Sequence, residues 1–189
     1  MPRWETGSKE RLKKAALELF AERGFEDTSV VEIAERARVT TRTFFRYFLD
    51  KREVLFAETD HLREVLVGRL LDAPDVADPL QAVMQALTGF DWSGLTLQRQ
   101  RHAVIAANPG LLERDLIKNH DIVVEFTEIL RQRGVEAQAA RLATAVGTQV
   151  FLTAYGQWLE SGETASLTEL SDTVLVILKS LMPADRAKI

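Results

Sequence analysis

The chain has 189 residues, 46% hydrophobic and 28% charged, with no cysteine and a net charge of −4. Its length is ample for one large or two small domains with a real core. The lack of cysteine excludes disulfides and thiolate metal sites, and no run approaches the roughly 20 apolar residues of a membrane span. The opening residues, MPRWETGSKERLKK, lack the apolar segment of a secretory signal, so a cytoplasmic location is expected. Charge is unevenly divided. Residues 1–52 carry 12 basic and 9 acidic side chains, a net of +3; the remaining 137 carry 12 and 19, a net of −7. A basic head on an acidic body directs the head toward phosphate.

In chain order, residues 1–8 read as a loose arm. Arg3 and Trp4 are candidates there to brush a DNA backbone, although fraying is the plainer reading. A first helix is expected over 9–23, with Leu12, Ala16, Leu19 and Phe20 as its buried stripe and Gly24 as a left-handed stop. Ser29 with Glu32 three residues on forms a capping box, and Val30, Ile33, Ala34 and Ala37 follow at helical spacing. A turn over 37–39 leads to Thr40 as a second N-cap and a helix over 41–47. Phe44 and Phe48, four apart, point into a core. Thr41, Arg42, Thr43, Phe45 and Arg46 are left facing outward.

That is the anatomy of a helix-turn-helix, whose second helix is free to enter a DNA major groove. Arginine reads guanine bidentately, threonine offers a hydroxyl to base or phosphate, and an aromatic face meets the thymine methyl. Thr28 and Ser29 open the first of the two helices and are candidates for a phosphate clamp. The pattern alone also fits an ordinary pair of short amphipathic helices.

Residues about 9–56 resemble the DNA-binding domain of the TetR family of bacterial transcriptional regulators. The likeness is carried by LFAERGFEDTSV, then EIAERARVTTRTFFRYF, then KREVLF, in order and at the family's spacing. Three positions depart from it: Arg38 stands where the family usually has glycine, Phe45 where it usually has tyrosine, and Tyr47 where it often has histidine. Arg38 implies a turn that tolerates a side chain, or an extra basic contact. Phe45 removes a hydroxyl within reach of the DNA backbone, and Tyr47 keeps an aromatic donor near phosphate. Lys51 resembles the family's phosphate-binding lysine, with a solvated lysine as the alternative. The resemblance implies a dimer on a palindromic duplex operator.

A fourth helix is expected over about 51–71, with Asp50 as its N-cap, joining a helix-turn-helix domain (1–50) to a ligand-binding and dimerisation domain (51–189). Further helices are expected at about 79–90 behind Asp78 and Pro79, 95–107, 110–133 closed by Gly134, 136–160 closed by Gly162, and 167–182 behind Ser166 and Glu169. The fold class is therefore all-α, with about nine helices.

Leu170, Val174, Ile177 and Leu181 line one side of the last helix. Gly147 and Gly156 interrupt the one before it, at roughly 1 kcal/mol each against alanine, which implies a closely approaching backbone. That neighbour is either within the chain or a second copy; a two-headed reader of DNA favours the second copy. In the family these two helices form a four-helix dimer interface.

The C-terminal half, notably AANPGLLERD and AYGQWLESG, is similar to a subgroup associated with acyl-CoA-like ligands and mycofactocin-system regulators. Candidates for the wall of an effector pocket are Phe90, Trp92, Phe126, Phe151 and Tyr155, with Arg101, His102 and Gln149 as polar anchors; plain core packing is the alternative for the aromatics. No Gly-rich phosphate loop, HExxH or GxSxG is present, and the three histidines lack a second ligand at metal spacing, so neither an enzyme nor a cofactor is expected. Two readings remain: a dimeric repressor released by a small apolar, acyl-type effector, and a DNA-bound helical scaffold that docks another protein.

Overall fold

All regular structure among the described residues is helical, as the periodicity predicts. The computed structural model describes the backbone of residues 4–92, 94–161 and 166–181, with the side chains of all of these except 4–6 and 95. Ten helices lie in them: α1 (Trp4–Arg23), α2 (Val30–Arg36), α3 (Thr41–Tyr47), α4 (Glu53–Phe56), α5 (Thr59–Leu71), α6 (Pro79–Thr88), α7 (Leu95–Ala106), α8 (Pro109–Gln132), α9 (Ala137–Glu160) and α10 (Leu167–Leu181). The added helix arises because the segment expected as one helix over 51–71 is broken after Phe56. At the break Glu58 turns its carboxylate to Lys9 (3.0 Å) and Lys13 (3.2 Å) of α1. Burial works against that carboxylate's charge, but the two lysines prevail and hold its pKa below the ordinary value.

Helix α1 begins at Trp4, so most of the segment read as a loose arm is helical. Arg3 and the expected stop at Gly162 lie outside the described residues, as does the last residue of the helix expected over 167–182. No helix among the described residues is long and apolar enough to cross a membrane.

Two compact units result, each discontinuous in sequence: residues 1–62 with 96–118, and 63–95 with 119–189. The first has one apolar core. Leu12, Ala16, Leu19 and Phe20 of α1 meet Ile33 of α2, Phe44 and Phe48 around α3, and Val54, Leu55 and Phe56 of α4. Val104, Ile105 and Leu111, far along the chain, complete it. Phe44 packs against Phe48 with ring centres 5.4 Å apart, so the i, i+4 aromatic pair fixes which face of α3 turns inward.

In the second unit α9 packs against α6 and α10. Asp78 caps α6 by accepting the Gln81 N–H at 3.0 Å, with Pro79 at its first position. The Glu136 carboxylate takes the Gln138 and Ala139 N–H groups at the head of α9, and those bonds hold its pKa down. Arg133 donates to the carbonyls of Leu70 and Ala73, closing the end of α5.

Gly147 answers one question within the chain. A Cβ built there would meet Val83 Cγ1 at 2.6 Å, so a side chain of α6 in the same chain is a close neighbour of Gly147. Val174 is likewise buried within the chain, at 8% exposure. Around Gly156 there is open space, Leu170 is half-buried, and Ile177 and Leu181 are 50% and 75% exposed.

Candidate nucleic-acid interface

The turn between α2 and α3 is built by a Schellman motif. The Arg38 N–H donates to the Glu35 carbonyl at 3.0 Å, and the Val39 N–H to the Ala34 carbonyl at 2.9 Å. That geometry places the C′ residue in the left-handed region, and Arg38 has φ 56°. A side chain there costs on the order of 1 kcal/mol relative to glycine. Thr40 then opens α3 by accepting the Thr43 N–H at 3.2 Å, and the two hydroxyls lie 3.0 Å apart.

Arg42, Phe45 and Arg46 of α3 are exposed, while Thr41 and Thr43 are half-buried. Phe45 is 56% exposed, an aromatic face held outward edge-on to Phe44. Arg46 donates to the Tyr47 hydroxyl at 2.8 Å and its guanidinium stands 4.8 Å from that ring. Tyr47 itself is half-buried.

Three expected phosphate contacts are placed differently. Thr28 is 2% exposed, and its hydroxyl donates to the Gly24 carbonyl at 2.8 Å. A side chain turned inward to close the α1–α2 loop is not available as a clamp. The Ser29 hydroxyl donates to Glu32 Oε2 at 2.8 Å and accepts the Glu32 N–H at 3.2 Å. The Ser29 backbone N–H completes the capping box and is the largest cause of the lowered Glu32 pKa. Helix α2 is thus capped by its own carboxylate. Lys51 sends its ammonium to the carbonyls of Phe25 (2.7 Å), Glu26 (3.0 Å) and Thr28 (3.0 Å), over the Phe25 ring at 4.4 Å. An ammonium has three protons, and all are taken. Lys51 fastens the loop that leads into α2, a role neither phosphate binding nor solvation anticipates.

Farther along the first unit, Arg101 donates to the Leu55 carbonyl and to Asp115, both at 2.7 Å, and Arg114 pairs with Glu53. The two guanidinium groups stand 5.5 and 4.9 Å from the Phe56 ring. Arg101 is therefore a clasp on α4, already neutralised, and not a free anchor for an anionic ligand. His102 is exposed.

The expected pocket aromatics separate. Trp92 touches Phe90, Phe151 and Tyr155 at ring separations of 4.9, 5.2 and 5.5 Å, and Trp158 extends the cluster from Tyr155. Phe126 is fully buried in the second unit. Gln149 is exposed and donates to the Thr153 hydroxyl on its own helix. Thr148, one turn before Phe151, escapes the sequence reading. It is 9% exposed and its hydroxyl has no hydrogen-bond partner among the described residues, a condition that costs on the order of 1–3 kcal/mol.

A capped helix-turn-helix with arginine and an aromatic on the outer face of its second helix defines a DNA-binding transcriptional regulator. Residues 12–57 match the model of the bacterial regulatory proteins of the tetR family. A Mycobacterium tuberculosis protein named for regulation of mycofactocin biosynthesis, MftR, is 31% identical over 84% of this chain and 82% of its own length. The chain belongs to the TetR family. Solved structures agree in fold: NalD of Pseudomonas aeruginosa, the secondary repressor of the MexAB-OprM multidrug efflux pump, aligns at 20% identity and TM-score 0.64 over 93% of this chain and 96% of that one. FadR of Thermus thermophilus, a repressor solved with lauroyl-CoA, aligns at 24% identity and TM-score 0.52 over 96% and 98%.

Proposed function

We propose that the protein is a dimeric repressor that holds two heads on a palindromic operator and is released by a small apolar, acyl-type effector. The observation that carries the DNA half is the outer face of α3, where Arg42 and Phe45 are exposed while Phe44 and Phe48 fix the helix from behind. Arg42 and Thr43 read bases; Thr40, Thr41 and Tyr47 lie nearer the backbone. Dimerisation runs through α9 and α10, now by Ile177, Leu181 and the open side of Gly156, with Val176 of α10 (65% exposed) and Leu142 near the start of α9 (65% exposed) as further exposed apolar residues.

The effector reading is supported by the aromatic cluster around Trp92 and by the Thr148 hydroxyl, which has no hydrogen-bond partner among the described residues and lies on the same helix as Phe151 and Tyr155. The lauroyl-CoA bound by the FadR relative points to the same ligand class. With Arg101 ion-paired, the ligand's recognition rests on its apolar part. An effector acts only through different affinities for the DNA-competent and incompetent dimers, and a coupling of about 1–3 kcal/mol releases an operator 5- to 150-fold. Helices α5, α7 and α8 each supply residues to both compact units.

The test is a titration on a duplex selected from the source's genomic DNA, first alone, then with lauroyl-CoA or a lipophilic cation. Two protomers per symmetric site, a steep salt dependence and release by the acyl thioester are expected. One protomer per site, or no salt dependence, refutes the dimeric operator complex. Arg42→Ala lowers affinity by about 1–3 kcal/mol and relaxes preference at one base position. Indifference to both ligands removes the effector and leaves the scaffold that docks another protein.

A further inference from the structure

The head pairs most of its cations internally. Arg23 meets Glu32, Arg36 meets Glu22 and Glu18, Lys9 and Lys13 meet Glu58, Arg46 meets Tyr47, and Lys51 meets three carbonyls. Arg36 and Glu22 form a two-pronged pair, at 2.8 and 2.7 Å, that lowers the Glu22 pKa and raises that of Arg36. Within the helix-turn-helix itself, two arginines make no hydrogen bond or ion pair among the described residues: Arg38 and Arg42, both exposed.

Arg42 stands on the reading helix. Arg38 stands in the turn before it, two residues from the Thr40 cap, at φ 56° where a side chain is disfavoured. Strain retained in a turn and a cation left without an internal partner are independent observations, and both fall at the point where the chain enters its reading helix. Glu18, Glu22 and Glu32 are engaged by Arg36 and Arg23, and Glu35, exposed three residues before Arg38, makes no ion pair with it among the described residues.

We propose that Arg38 is a further DNA-contact residue, a point charge that binds a backbone phosphate beside the groove read by α3. It holds the register of the head and carries no base preference, because a phosphate contact has no sequence information. This proposal rests on the DNA-binding reading above and adds to it one residue and one phosphate per head.

Three variants test it on the full-length protein with the same selected duplex. Arg38→Gln keeps the left-handed side chain but removes the charge; Arg38→Lys keeps the charge; Arg38→Gly removes the charge and relieves the turn. The Gln and Gly variants are expected to bind all sequences about fivefold more weakly per head near 0.15 M salt, the factor one released counterion contributes, with the salt slope lower by about one per head. The Lys variant keeps the wild-type slope. Arg38→Gly also raises the denaturation midpoint, so affinity and stability move in opposite directions, which loss of folding cannot produce. An unchanged salt slope in the Gln and Gly variants overturns the contact, even if affinity falls. Failure of the wild-type protein to bind any selected duplex would instead count against DNA binding as a whole.

Discussion

Replacing Lys51 by methionine keeps the apolar stem over Phe25 and removes only the ammonium. Three hydrogen bonds of 2.7, 3.0 and 3.0 Å are lost, together with the charge 4.4 Å above the ring. A buried charged hydrogen bond contributes about 1.5–3 kcal/mol, but Lys51 is only half-buried and the freed carbonyls recover water. About 0.5 kcal/mol for each bond and about 0.5 kcal/mol for the ring contact give a loss near 2 kcal/mol. In a chain of this size that lowers the melting midpoint by about 4–8 °C. Urea unfolding followed by circular dichroism measures the loss, and operator binding across a salt series measures the charge. The expected result is a less stable protein that binds more weakly at every salt concentration with an unchanged slope, because the ammonium never touched phosphate. A full-stability variant whose slope falls by about one per head would refute this reasoning and return Lys51 to the DNA.

Gly147→Ala gains about 1 kcal/mol of helix propensity, yet its Cβ would sit 2.6 Å from Val83 Cγ1. Overpacking of about 1–3 kcal/mol wins, so a net destabilisation is expected in a denaturant melt, and Val83→Ala, itself costly in a buried site, is expected to cost less in the Gly147→Ala chain than alone. Ile177→Arg places a charge on an exposed face and is expected to sediment as a folded monomer, whereas Val174→Arg buries the charge and fails to fold; a dimeric Ile177→Arg protein would move the interface elsewhere. The Glu32 carboxylate, its pKa held down first by the Ser29 N–H, contributes stability that is present above its ordinary value of 4.5 and is lost as pH falls through the lowered one. Glu32→Gln should therefore be less stable than wild type near neutrality and converge with it in acid, as read by melting at a series of pH values.

The helix-turn-helix was legible because its signals are local. Caps sit three residues from their partners, and Phe44 and Phe48 are one turn apart, so spacing alone states the geometry. Periodicity also drew an apolar stripe along α10, but it names no neighbour. Gly147 signals close approach equally well whether the approaching group is Val83 or another copy. The bonds of Lys51 were hidden for a related reason: its partners are backbone carbonyls 23–26 residues earlier, which no side-chain pattern encodes. Arg101 looks like a free cation in the run Arg99–His102, and only the fold brings Asp115 and the Leu55 carbonyl to it. The Thr148 hydroxyl has no signal in sequence, because a threonine inside a helix ordinarily bonds the carbonyl four residues back, as Thr144 does with Ala140.

The core of the first unit closes only when Val104, Ile105 and Leu111 join residues 12–56. Regulators of this kind invite recombination, in which the DNA specificity of one protein is grafted onto the sensor of another by a single crossover after the reading helix. In this chain a crossover at residue 50 keeps the foreign head's Phe44 and Phe48 but supplies them with a floor, α4 and 104–111, shaped for other side chains. A crossover after residue 62 keeps α4 with its own head yet removes Arg101 and Arg114, leaving Leu55 and Glu53 without their clasp. The transplantable module is a pair of segments, 1–62 with 96–118, and a chimera built from both should retain the stability that one built from either crossover loses.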